Sequence, residues 1–428
     1  MLALQTLQLG GTLSYPWFKK RGYRHFDAAV GETYAHKICD PTVVAKHSWL
    51  PLIHYVKTVK RYKPKTASDG KTRLKGKTVT KPRDIMFASH RDSCILAKYA
   101  FELGELLDKH YVQTGLDKTV IAYRKLGRAN YHFSADAYRY AKDHMPCAVL
   151  CFDITGFFDN LDHKILKDRL KHLLGVTELP ADWYAVFRHV TKFSRVERSA
   201  LEANAVFSER IKIRSHEPVA TVAELHKAGI AIHQNDKKLG IPQGTPISSA
   251  LSNLYMMAVD RVMLEATKKL GGLYQRYSDD ILIICSSEVA AELESILKGA
   301  VTAHKLEIKD EKTERANFYA GSEDVFQYLG FNASQGGATI RPSSLGRQWR
   351  KAKRGIRAAK RAGDKAIASG KATKIFTKKL RKRFQPVGAR NFSKYARRAA
   401  DAFGSKKIVR QVLKLERMVD QAIRGMSR

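Results

Sequence analysis

Apolar positions recur along the chain with two different periods. Residues 93–110 carry Ile95, Leu96, Tyr99, Ala100, Leu103, Leu106 and Leu107 at helical spacing, which predicts an amphipathic helix. The same spacing predicts helices around 135–144, 163–174, 182–193, 252–264 and 288–304. Two short β-branched apolar runs break that period: 148–152 and 281–284 read as buried strands, with 275–277 leading into the second. The resulting order of strand, helix, strand pair, helix and strand is that of a ferredoxin-like core. Residues 195–239 are mixed and predict strands and a loop. Residues 57–81 are rich in Lys, Thr and Gly with almost no apolar positions, which predicts a basic loop or hairpin. Near the end, Ile408, Val409, Val412, Leu413, Leu415 and Met418 form a helical apolar stripe.

Charge adds a partner to this picture. The chain has 428 residues, 77 Lys+Arg against 41 Asp+Glu, a net charge of +36 and a pI near 10.0. Self-repulsion of that size points to a polyanion, nucleic acid above all. Residues 341–428 hold 28 Lys+Arg against 4 Asp+Glu, a net of +24. A solvated basic tail lacks a helical apolar period, so this segment reads as packed helices with basic faces. Arg347, Arg350, Lys351, Arg354, Lys394, Arg397 and Arg398 are its candidate RNA contacts. Near the start, Tyr15, Trp17, Phe18, Arg21 and Tyr23 mix rings with bases, as single-strand binders do. At 44% hydrophobic residues the chain can bury a large core in two or three subdomains. Its five cysteines show no Cys-x-x-Cys pair and suggest neither zinc nor disulfides. No run is long and apolar enough for a membrane span, and the first residues lack signal-peptide features, so a cytoplasmic protein is expected.

The candidate chemistry lies at the strand ends. Asp279 and Asp280 stand at the tip of the predicted hairpin, and Asp153 ends the strand predicted over 148–152. Carboxylates against apolar strands are costly unless a cation, a basic partner or water compensates them. An exposed Ser-Asp-Asp turn is the plainer reading of Asp279 and Asp280 taken alone. If the two strands are neighbours, the three acids form an oxygen nest suited to Mg2+. A pair of such ions ~3.5–4 Å apart is the general arrangement for in-line phosphoryl transfer.

In order and spacing, these segments resemble the palm of a reverse transcriptase. Asp153–Asp159 looks like the first catalytic motif, and 240–253, with Pro242, Gln243 and Gly244, resembles the Pro-Gln-Gly motif. Tyr277–Asp280 fits the Tyr-x-Asp-Asp box, 306–313 the lysine-bearing motif, and Tyr328–Phe331 the primer grip of Tyr328, Leu329 and Gly330. The resemblance implies an α+β right-hand polymerase with fingers, a ferredoxin-like palm and a helical basic thumb. The implied boundaries are 1–147 for the N-terminal extension and fingers, 148–327 for the palm with fingers elements around 176–250, and 328–428 for primer grip and thumb.

It further implies two Mg2+ ions on Asp153, Asp279, Asp280 and the Ile154 backbone, with Lys312, or its neighbour Lys309, near the leaving pyrophosphate. Lys81 and Arg83 resemble a fingertip motif that contacts the triphosphate, and Arg124 occupies the place of a nucleotide-binding arginine. Phe157 and Phe158 would lie at the sugar, Phe158 as the steric gate that favours dNTPs.

Retron enzymes are similar to it in size, but the Ile-Ser-Ser-Ala-Leu-Ser-Asn run and the segments Arg21–Asp27, 87–92 and 391–398 look most like bacterial defence-associated reverse transcriptases, with type 2 favoured. That likeness implies a noncoding RNA partner copied into cDNA during phage infection. The alternatives are a retron- or intron-type enzyme with another RNA partner, an RNA-templated RNA polymerase, or a non-catalytic RNA-binding scaffold.

Overall fold

The computed structural model describes residues 7–9, 12–66, 73–213, 215 and 217–426. It divides into two compact units, each assembled from three separate stretches of chain. The first comprises Met1–Arg124, Ile154–Val262 and Gly299–Glu307, and the second Lys125–Asp153, Met263–Lys298 and Ile308–Arg428.

In the first unit a four-stranded sheet runs in the order Asp84–Phe87, Leu52–Val56, Ser194–Glu197, His233–Gln234. Phe26, Ile53, Val196, Leu201, Phe207, Val219 and Leu225 close a core against it. The predicted amphipathic helix extends over His90–Thr114. Ser89 caps it by accepting from the Asp92 N–H, and Gly115 at φ 74° ends it in the left-handed region that Gly adopts without strain. The basic segment is a hairpin, Val59–Thr66 paired with Arg73–Lys81. Residues 195–239 differ from expectation. They form three short helices, Arg198–Ala203, Ala205–Lys212 and Val222–Lys227, between the brief strands, because Leu201, Phe207 and Leu225 each bury one apolar side in the core.

In the second unit the antiparallel sheet order is Leu273–Tyr277, Asp280–Cys285, Cys147–Asp153, Glu314–Phe318. Helices Ser248–Leu270 and Ala290–Ala303 separate these strands in sequence. This is the expected ferredoxin-like arrangement, with the two central strands buried along almost their whole length. A three-stranded meander, Val325–Tyr328, Phe331–Ser334 and Gly337–Ile340, follows. Among the described residues four helices follow: Pro342–Ala368, Lys378–Phe384, Phe392–Phe403 and Lys406–Met426. The C-terminal stripe is present. Ile408, Val412, Leu415, Val419 and Ile423 are buried, and the last three of these pack with Ala352, Leu380 and Phe384. Among the described residues no helix is long and apolar enough to cross a membrane, and the five cysteines are free.

Candidate active site

The central strand pair brings the acids together within the second unit. Asp280 stands directly across from Asp153 in the antiparallel register, and Tyr277 pairs with Asp280 across a two-residue turn of Ser278 and Asp279. Such turns require positive φ, and Ser278 adopts 62° although it is not glycine. Arg276, wholly buried, donates from Nη1 to the Ser278 carbonyl at 3.1 Å. A buried guanidinium therefore props the turn that carries the acids.

Asp280 keeps an exposed surface, yet its carboxyl is pushed up to about 7. Desolvation by the surrounding protein is the largest cause, followed by repulsion from Asp279 and Asp153, while Arg341 pulls in the opposite direction. Crowded carboxylates of this kind are stabilised by a cation. Among the described residues no group of three His, Cys, Asp or Glu side chains is arranged to hold an ion alone. The donor set fits Mg2+ nonetheless, because that ion commonly takes one or two carboxylates and completes its shell with water and substrate phosphates.

A cavity of about 280 Å3 opens beside these acids. Its walls include Tyr277, Asp280, Tyr328, Leu329, Gly330 and Arg341, so one acid and the Tyr-Leu-Gly turn share one space. The turn is strained, with Leu329 at φ 47°. The helix Asn130–Asp143 clamps it: Asn130 Nδ2 donates to the Leu329 carbonyl at 2.8 Å and Ser134 Oγ to the Tyr328 carbonyl at 3.1 Å. Tyr395 donates its hydroxyl to Asn130 Oδ1 at 3.1 Å, tying the Phe392–Phe403 helix to the same clamp.

A family model described as "Reverse transcriptase (RNA-dependent DNA polymerase)" matches residues 105–333, more than half of the chain. The chain belongs to this reverse transcriptase family. Among solved structures it is similar to apo telomerase from Candida tropicalis, truncated from the C-terminal domain, at 11% identity and a TM-score of 0.42. That match covers 73% of this chain and 61% of the other. It is also similar to telomerase from Candida albicans in complex with a fragment of telomeric RNA, at 12% identity and a TM-score of 0.41, covering 91% of this chain and 63% of the other. The chain thus spans less than two thirds of the length of either. No curated protein matches.

Within the first unit, the Pro-Gln-Gly segment of this family member is docked on the strand Asp84–Phe87. Met86 donates its N–H to the Gln243 carbonyl at 2.9 Å, and Gly244 at φ 122° lies so close that an added Cβ would stand 2.6 Å from the Met86 carbonyl oxygen. Pro242 is buried, and its carbonyl accepts from Ser248 Oγ at 2.6 Å. Lys81 and Arg83 are exposed, and the Arg83 backbone exchanges two hydrogen bonds with Lys57. Phe158 is half-buried, whereas Phe157 and Ile154 are core residues; only the Ile154 backbone could serve as a ligand. In the second unit Lys312 ends the short turn Asp310–Lys312, and its side chain lies outside the described residues.

Several expected contacts are corrected. Arg124 has a buried side chain that bonds Asp108 at 2.5 Å, Asp117 at 2.7 Å and the carbonyls of Asp117 and Val120. Its donors are spent inside the protein, so it serves structure in place of the expected nucleotide contact. Tyr15 and Trp17 are buried, with the Tyr15 hydroxyl 2.6 Å from His36 Nδ1, and they offer no face for a base. Tyr23 stacks on His90 at 4.8 Å, while Phe18 is half-buried and Arg21 half-exposed. Arg397 pairs at 2.6 Å with Glu416, which is buried, and so supports the helix pair rather than presenting a free cation. Arg347, Arg350, Lys351, Arg354 and Arg398 are exposed, and Lys394 is half-buried.

Asn130, Arg276 and Arg341 escaped the sequence reading. For Arg276 the signal was available: a charged residue in an otherwise apolar hairpin, two positions before the turn. Asn130 and Arg341 carry no local signal, since their roles depend on partners from distant segments.

Proposed function

We propose that the chain is an RNA-directed DNA polymerase that extends a DNA 3′ end on an RNA template with dNTPs and Mg2+. The observation that carries this reading is the cross-strand pair Asp153 and Asp280 beside Asp279, with Asp280 lining a cavity shared with the Tyr328–Gly330 turn. In this reading residues 1–147 act as N-terminal extension and fingers, 148–327 as palm, and 328–428 as primer grip and thumb. Asp153, Asp279, Asp280 and the Ile154 carbonyl would hold the ions, which when bound supply a Lewis acid for the attacking hydroxyl and charge neutralisation for the leaving pyrophosphate. The Tyr328–Gly330 turn, clamped by Asn130 and Ser134, holds the primer end. Phe158 excludes a 2′-hydroxyl by overlap, and Lys312 donates a proton to the pyrophosphate.

Purified protein given a primed RNA, labelled dNTPs and Mg2+ should make cDNA. The Asp279→Ala, Asp280→Ala double variant should lose orders of magnitude in rate while remaining folded. Wild-type rates in that variant would exclude the assignment.

We also propose, from the likeness to defence-associated enzymes and the +24 charge of residues 341–428, that the template is a dedicated noncoding RNA. Its cDNA would act in the bacterial cytoplasm against phage. Recovering the protein from its host and sequencing the bound RNA tests this: one locus-adjacent RNA supports it, and a transcriptome-wide spread sinks it. Phage plating with and without the adjacent locus tests the defence role.

A further inference from the structure

A cavity of about 1020 Å3 in the first unit lies outside the residues assigned to chemistry. Its rim carries Lys20, Arg21, Arg24, Arg198 and Lys212, and its floor is apolar, formed by Ile53, Phe87, Leu201 and Ile211. Two acids also line it, but Asp27 is committed elsewhere: its two oxygens accept the backbone N–H groups of His90 and Arg91 at 2.8 Å each. Glu217 is exposed. Arg198 pairs with Glu202 at 2.8 Å, but the other four rim cations are not neutralised in this way among the described residues. Arg24 donates to the carbonyls of Arg210 and Ser215, Arg21 donates to the Ser93 carbonyl, and no ion pair is made by Lys20, Arg21, Arg24 or Lys212 among the described residues.

The wall is preformed. Tyr23 is fixed by its stack on His90 and by its hydroxyl, 2.7 Å from both the Ala88 carbonyl and Ser93 Oγ. His25 is fixed through both ring nitrogens, to the Phe87 carbonyl at 3.1 Å and the Phe26 N–H at 2.8 Å. A rigid concavity with an apolar floor and a cationic rim suits a ligand with an aromatic body and an anionic end. Its volume stands at the top of the ~300–1,000 Å3 range of small-molecule sites, too large for a lone phosphate.

We infer that this cavity binds a nucleoside phosphate, either free or as the 5′ end of an RNA strand. The base covers the apolar floor and the phosphates meet the rim. The aromatic-basic segment near the N-terminus thus contributes through its arginines and Lys20, while Tyr23 and His25 build the wall. The inference goes beyond the polymerase reading and stands without it.

The test uses the full-length protein in EDTA, so that metal-dependent nucleotide binding at the acids does not contribute. ATP is titrated calorimetrically. In parallel, a short 3′-fluorescein oligoribonucleotide is followed by anisotropy with either a 5′-triphosphate or a 5′-hydroxyl. The Lys20→Glu, Lys212→Glu variant changes two exposed rim residues that hold no ion pair. The Lys109→Glu, Lys118→Glu variant makes the same charge change at exposed positions off the cavity. The rim variant should lose at least about tenfold in affinity, because each lost contact is charge-assisted, while the off-cavity variant stays near wild type. ATP binding that competes with the oligonucleotide identifies the free ligand as the source. Binding that requires the 5′-triphosphate on RNA and ignores ATP identifies the strand end. Equal losses in the two variants, unchanged affinity in the rim variant, or indifference to both ATP and the 5′-triphosphate would overturn the inference. The Asp279→Ala, Asp280→Ala variant should bind normally; loss of binding there would place the ligand at the acids and overturn it too.

Discussion

Replacing Gly244 with Ala tests the docking of the Pro-Gln-Gly segment. At φ 122° the backbone is in a region essentially reserved for Gly, and forcing an L-residue there costs about 1–3 kcal/mol. The new methyl would also stand 2.6 Å from the Met86 carbonyl oxygen and 3.2 Å from Ile85 Cγ2, and a backbone oxygen has no rotamer by which to withdraw. The cheapest escape is to part the segment from the strand, losing the 2.9 Å bond from Met86 to Gln243 at about 1 kcal/mol or more.

The sum is roughly 2–4 kcal/mol, concentrated at one contact. Hydrogen exchange of the Met86 amide should accelerate by roughly thirty- to a thousandfold, since ~1.4 kcal/mol is a factor of ten. Gly127→Ala is the control, because Gly127 sits at φ 64° with open space around it and should cost only about 1–2 kcal/mol without touching Met86. Wild-type exchange at Met86 in Gly244→Ala, or equal effects from the two substitutions, would refute the argument.

Phe158→Ala should raise rNTP relative to dNTP incorporation in primer extension, and an unchanged ratio would remove Phe158 from the sugar gate. Arg124→Ala should destabilise the protein by about 1–2 kcal/mol, since the half-exposed Asp108 and Asp117 regain water while the carbonyls of Asp117 and Val120 lose their donor, with KM for dNTPs unchanged; denaturation and steady-state kinetics together decide. Asn130→Ala removes one hydrogen bond to the Leu329 carbonyl and one from Tyr395, each contributing about 1 kcal/mol, and should raise KM for primer-template more than it lowers kcat. His189, stacked on Trp49 at 4.1 Å, has its pKa lowered by burial from 6.5 to about 4. The unfolded chain therefore binds the extra proton between those values. Stability is full above pH 6.5 and falls towards pH 4 by at most about 1.4 kcal/mol per unit, and His189→Phe should flatten that limb in denaturation across pH.

Where a residue's role follows from its strand or helix period, the sequence made it legible. Asp153 and Asp280 could be located because apolar runs of strand length end at them, and the Lys406–Met426 helix because its stripe keeps period. Roles set by partners far along the chain were not legible. Arg124 lies seven and sixteen positions from the aspartates that consume it, and Tyr15 twenty-one from the histidine that buries its hydroxyl. An alternation of rings and bases does not encode which face is covered. The same limit hid the clamp from Asn130 to Leu329, whose members stand 199 residues apart.

The register that pairs Asp153 with Asp280 also sets a timetable for synthesis. The Cys147–Asp153 strand leaves the ribosome about 130 residues before its partner; at roughly 5–20 residues per second it waits on the order of ten seconds. During that time Cys147-Ala-Val-Leu-Cys-Phe152 is an uncharged, proline-free apolar segment with both hydrogen-bonding edges open. Its other neighbour, Glu314–Phe318, emerges later still. The centre of this sheet is therefore a stretch of nascent chain that calls for a chaperone, and production of intact protein should depend on elongation rate more steeply than its equilibrium stability would suggest.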